Sequence, residues 1–97
     1  FYPDDHLAEY RGKQANFKAG TKGGELLIYF YQNKNAPLEL KYIQTGCNNR
    51  LKLSRHQFKT DKDVIDTITY IRNKLKVNKN EYFPLHKRDK CFILDEK

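Results

Sequence analysis

Glu25, Glu39 and Lys41 are the residues of this chain whose types and spacing could do chemistry. Glu25 opens the apolar run Leu26-Leu27-Ile28, and Glu39 and Lys41 lie two apart in Leu38-Glu39-Leu40-Lys41. Two carboxylates brought to one edge of a sheet, with a backbone carbonyl, make a hard oxygen site that suits Mg²⁺ or Mn²⁺. Such an ion polarises a phosphodiester and activates a water. A lysine on the same face offsets charge on the attacking or leaving oxygen. Each piece alone is weak, because a second acid-x-Lys, Asp95-Glu96-Lys97, arises in the same charged chain. His6, His56 and His86 are scattered without HxxxH or HExxH spacing, and no Ser-His-Asp or Cys-His arrangement stands out.

For those side chains to meet, Glu25–Gln32 must be a strand. Leu26, Ile28 and Phe30 point one way and Leu27, Tyr29 and Tyr31 the other, as in a central strand covered on both faces. Residues 33–37 then read as a hairpin-length loop stopped by Pro37. Leu38–Gln44 reads as the partner strand, with Leu38, Leu40 and Tyr42 toward the core and Glu39 and Lys41 sharing the other face. Residues 45–49 read as a turn. Residues 50–58 admit two readings: Leu51 and Leu53 alternate with Arg50 and Lys52 as in a third strand, whereas Ser54-x-x-Gln57 spells a helix capping box. A second box, Thr60-x-x-Asp63, opens the clearest helix, where Val64, Ile68, Ile71 and Leu75 follow a 3–4 spacing widened by Ile65. Helix is expected from near Ser54 to Lys76, with a break around Lys59–Thr60. Before the first strand, Asp4 or Asp5 would cap a short helix within residues 1–18, followed by a flexible Gly20–Gly24 connector that lacks Walker A spacing. After the long helix come a loop around Pro84 and a short apolar run, Cys91–Leu94, that would join the sheet. The expected fold is α/β, a small mixed β-sheet flanked by helices in one domain over residues 1–97.

In this order the pieces resemble the PD-(D/E)xK nuclease superfamily, and in particular its small stand-alone VRR-NUC (virus-type replication–repair nuclease) branch. The matching stretches are Lys22-Gly23-Gly24-Glu25-Leu26-Leu27-Ile28, Pro37-Leu38-Glu39-Leu40-Lys41 and Leu53-Ser54-Arg55-His56-Gln57. The resemblance implies a restriction-endonuclease-like core in which Glu25 and Glu39 hold Mg²⁺ or Mn²⁺, with the Leu40 carbonyl as a third ligand. It also implies a catalytic Lys41, a supporting Gln57 and an extra metal-binding acid, Glu9. The activity implied is a DNA endonuclease acting on branched or four-way-junction DNA as a homodimer.

The net charge of +7 over 97 residues is unevenly placed. Residues 33–62 carry Lys34, Lys41, Arg50, Lys52, Arg55, Lys59 and Lys62 against only Glu39 and Asp61. A cationic middle segment points to a polyanionic partner, because neutralised phosphates release counterions. The alternative to a nuclease is therefore a non-enzymatic nucleic-acid-binding module. There Arg50, Lys52, Arg55 and Lys59 would contact phosphates and tyrosines would stack on single strands. A protein-interaction domain is a third reading, and it would show no salt-dependent affinity for DNA or RNA. Cys47 and Cys91 have no metal-ligand spacing and read as free thiols of a reducing compartment. No apolar run approaches the ~20 residues of a membrane span, and the N-terminus lacks a signal-peptide core. The expected location is the cytoplasm or the interior of a viral or phage host cell, without secretion or a membrane partner.

Overall fold

A computed structural model describes residues 6–51, 57–78 and 80–95. The chain first forms a hairpin, not the short helix expected there. β1 (Leu7–Tyr10) and β2 (Lys13–Asn16) pair antiparallel with Ala8 opposite Ala15 and Glu9 opposite Gln14. The turn is Arg11-Gly12, with φ of 50° and 80°, the two-residue geometry whose twist matches the flanking strands. Only two alanines carry the buried face of the hairpin, so its apolar alternation is nearly silent in the sequence. Asp4 and Asp5, the expected caps, lie outside the described residues.

The stretch expected as the central strand is a helix, α1 (Lys22–Gln32). Thr21 caps it, its hydroxyl accepting the Gly24 amide at 3.2 Å. Gly23 through Ile28 and Phe30 are all buried. A helix covered on most sides is apolar on most sides, and a short run of that kind has no periodicity to separate it from a covered strand. Two glycines permit its close contacts. A Cβ on Gly24 would sit 1.9 Å from the Lys18 carbonyl oxygen, and one on Gly46 would sit 2.1 Å from the Tyr29 ring.

The expected partner strand also changes form. Only Leu38–Glu39 is extended (β3), and helix α2 (Leu40–Asn48) begins at the next residue. Ile43 and Cys47, four apart, carry its buried stripe, whereas Tyr42, assigned to the core by a strand reading, is 56% exposed. The expected turn at 45–49 is the end of this helix. α3 (Asp61–Lys74) begins with the expected capping box: Thr60 accepts the Asp63 amide and Asp63 accepts the Thr60 amide. Residues 52–56, including Ser54 of the first box, lie outside the described residues.

β4 (Leu85–Arg88) occupies part of the expected Pro84 loop, and β5 (Cys91–Leu94) joins a sheet as expected. The strand order of that three-stranded sheet is β3-β5-β4, antiparallel throughout, with Leu38 opposite Phe92 and Glu39 opposite Cys91. The molecule is thus α/β, but among the described residues the mixed sheet is replaced by two separate antiparallel ones. Leu26 and Phe30 of α1, Ile43 of α2, and Val64 and Ile71 of α3 meet Leu51 and Leu85 in one core. Burying each such side chain favours folding by roughly 1.5–3 kcal/mol. The three helices therefore hold one another directly, and the β4–β5 hairpin closes the core beside them.

Candidate nucleic-acid interface

Helix geometry decides what α3 offers. Its inward stripe is Val64, Thr67, Ile68 and Ile71. At about 100° per residue the opposite side carries Lys62, Ile65, Asp66, Thr69 and Asn73, and all five are exposed. Ile65 is 44% exposed and Tyr70, at the edge of this face, 53%.

The acids in the first turns are mostly committed elsewhere. Asp61 accepts the Gln44 amide nitrogen at 2.7 Å, tying α2 to α3. Asp63 accepts the backbone amides of Lys59 (2.7 Å) and Thr60 (3.1 Å), and these donors hold its carboxyl below the usual carboxylate range. Asn48 fixes the same connection by bonding both Phe58 N and Phe58 O at 2.8 Å. Gln57 donates to the Leu51 carbonyl at 2.7 Å. The two helices are therefore held in one relative position by side chains of their own connection.

Exposed cations occur elsewhere on the surface. Lys59 is exposed just before α3. Lys87, Arg88 and Lys90 are exposed around the β4–β5 turn, where Asp89 takes a φ of 56°. Between α3 and the start of α1 runs a groove of about 640 Å³, rimmed by Lys18, Lys22, Asp66, Tyr70 and Lys74. Lys74 donates to the Asn16 carbonyl at 2.7 Å and lies 4.9 Å from the Phe17 ring centre.

The residues expected to form a metal site are not assembled as that reading requires. Glu25 is on a helix, 2% exposed, and pairs with Arg50 Nε at 2.6 Å, its other oxygen lying 3.4 Å from the Gly20 amide. Glu39, with the Leu40 carbonyl beside it, stands at the start of α2, where an exposed contact of 3.9 Å joins it to Lys41. Glu9 accepts from Gln14 across the β1–β2 hairpin at 2.7 Å. Gln57 serves the α2–α3 connection. The cause is the helical form of both stretches: with residues 22–32 and 40–48 coiled, no shared sheet edge exists for the carboxylates. Among the described residues no group of three His, Cys, Asp or Glu side chains gathers as a metal site would need. Of the four cations expected to meet phosphate, Arg50 is half exposed but engaged by Glu25, Lys59 is free to solvent, and Lys52 and Arg55 lie outside the described residues. The outward stripe of α3 and the hairpin cations went unnoticed in the sequence. The stripe is the complement of the Val64–Leu75 pattern and could have been found by subtraction.

No protein-family model matches this chain, and no curated protein matches it. Among solved structures it is similar to the DNA-binding domain of E. coli CadC, with a TM-score of 0.67 and 18% identity, covering 95% of this chain and 80% of that one. The likeness is one of fold. It overturns the resemblance to the PD-(D/E)xK nucleases and their VRR-NUC branch, whose core has a different arrangement of strands and helices. Three helices closed by a C-terminal antiparallel hairpin, as α1, α2, α3 and β4–β5 are here, make a winged-helix-like arrangement.

Proposed function

We propose that this chain is a duplex-DNA-binding module in which α3 enters the major groove. The outward face of α3 carries the proposal, since its exposed Lys62, Thr69 and Asn73 are the residue types that read base edges and phosphates. In helix-turn-helix proteins the second helix of such a pair lies in the major groove while the first crosses the backbone. Here α2 and α3 are locked in that order by Gln44–Asp61 and Asn48–Phe58. Lys59 before α3 and Lys87, Arg88 and Lys90 on the hairpin would take the flanking phosphates. The similar CadC domain is a DNA-binding one, which agrees with this reading, as does the net charge of +7.

Fluorescence anisotropy of labelled duplexes over a salt series tests it. Affinity should fall about a hundredfold or more between 50 and 200 mM salt when several phosphates are neutralised. The triple change Lys87→Ala, Arg88→Ala, Lys90→Ala should flatten the logarithmic salt slope by about one for each phosphate that the variant leaves unneutralised. Affinity unchanged by salt in the wild type would sink the proposal. Running the same mixtures with Mn²⁺ or EDTA reads phosphodiester cleavage directly. A four-way junction included as competitor should bind no better than its duplex arms.

A further inference from the structure

We propose that Asp66 is a specificity-determining residue of the α3 surface, accepting a hydrogen bond from an exocyclic amine on a base edge, either cytosine N4 or adenine N6. The assignment rests on the duplex-binding reading above. Asp66 is exposed on the outward stripe along the side that borders the α1–α3 groove, with Lys62 one turn before it and Thr69 and Asn73 after it. Asp61 and Asp63 on the same helix are engaged by Gln44 and by the Lys59 and Thr60 amides. Asp66 has no hydrogen-bond or ion-pair partner among the described residues, and Lys62 does not close on it.

An uncommitted carboxylate on a surface that faces DNA is repelled by the phosphates, so it lowers affinity unless a base offers it a donor. The major-groove edge has donors only at cytosine N4 and adenine N6, whereas guanine presents N7 and O6 and thymine presents O4 and a methyl group. Every base pair carries one such donor, so Asp66 is attracted where the amine-bearing base of the pair lies beneath it and repelled where guanine N7 and O6 or thymine O4 take that place. Discrimination of this kind works through exclusion as much as attraction.

Selection from a randomised duplex pool, followed by sequencing of the bound fraction, tests the assignment with the wild type, Asp66→Ala and Asp66→Asn. The wild type should prefer, at one position, a single base pair in a single orientation by about tenfold over the same pair reversed, with its amine-bearing base, cytosine or adenine, always on the same strand relative to the rest of the site. Whichever of the two bases is enriched identifies the donor. Asp66→Ala should lose that preference while binding the whole pool a few-fold more tightly. Asp66→Asn, which donates as well as accepts, should move the preference toward adenine. Thermal melting of both variants checks that this exposed position leaves the fold intact. A preference that survives in Asp66→Ala, or a wild type that binds duplex without base preference, overturns the assignment and leaves the duplex-binding reading standing. A wild type that binds no duplex overturns that reading and this assignment together.

Discussion

Two places in the molecule each bring together a glutamate, a cation and a cysteine, and they behave in opposite ways. At the corner where α1 meets the end of α2, Glu25 is 2% exposed, pairs with Arg50 at 2.6 Å, and its carbonyl lies 3.7 Å from the buried Cys47 thiol. At the start of α2, Glu39 and Lys41 are separated by 3.9 Å with more than half of each side chain in solvent, and Cys91 lies across the strand pair from Glu39. A corner charge that loses its partner is left in the protein interior. A surface charge that loses its partner is left in water. The difference teaches that the same residue types join helices in one place and only decorate a surface in the other.

The largest expected contrast is between the two thiols. Burial first, and the Glu25 charge second, push the Cys47 thiol from its ordinary 9.0 up to about 12. Such a thiol holds roughly a thousandth of the usual thiolate at neutral pH. Alkylation of the native protein, followed by mass spectrometry, should therefore modify Cys91 first and Cys47 only on unfolding. Comparable rates for both would erase the contrast. The sign of the linked pH effect follows: the folded state keeps the Cys47 proton after the unfolded chain has lost it. Stability from this source is complete below the unfolded value and is lost as pH rises from near 9 toward about 12.

The next largest effect is on the ion pairs. Arg50→Ala strands the Glu25 carboxylate in the interior and should cost about 3 kcal/mol, the lower end for a broken buried pair because Arg50 itself is half in solvent. Urea unfolding measures it, and a cost no greater than that of Glu39→Ala would break the comparison. Asp63 sharpens the distinction, since it is exposed yet holds the Lys59 and Thr60 amides. Thr60→Ala removes the reciprocal half of this cap and should cost about 1 kcal/mol in the same assay. With the Asp63 carboxyl held low, the contribution of this cap is present above the ordinary 3.8 and fades as acid takes the pH down through the folded value. Smallest of all, Glu39→Ala and Lys41→Ala should each change stability by less than about 0.5 kcal/mol.

How much of this was legible depends on how one-sided each element is. α3 could be read because one face is buried and its box is local: Thr60 and Asp63 bond within four residues. α1 could not, because burial on most sides removes the period that marks a helix, and Leu26–Phe30 fit a covered strand equally well. In α2 two periods competed. Leu38, Leu40 and Tyr42 alternate, but Ile43 and Cys47, four apart, carry the buried contacts. The β1–β2 hairpin announced itself only through Arg11-Gly12. At the candidate site, the cationic middle segment pointed toward a polyanion, as the proposed function does, while its detailed assignment followed the misread strands. Glu25 stands out in the sequence, but its partner Arg50 is 25 positions away and no local pattern links them.

The close approach of Gly24 to Lys18 bears on how the molecule can be divided. Lys18 also accepts the Thr21 hydroxyl at 2.6 Å, Phe17 beside it is only 3% exposed, and Asn16 receives Lys74 from α3. The exit of the N-terminal hairpin is thus moulded into the first turn of α1 and stitched to the far end of α3. Anyone transplanting the helices and C-terminal hairpin into a chimera would have to carry residues 16–21 with them. Cutting at the first helix would remove a wall of the core and leave a glycine where nothing any longer crowds it. Residues 16–21 are not a detachable linker but part of the smallest unit worth moving.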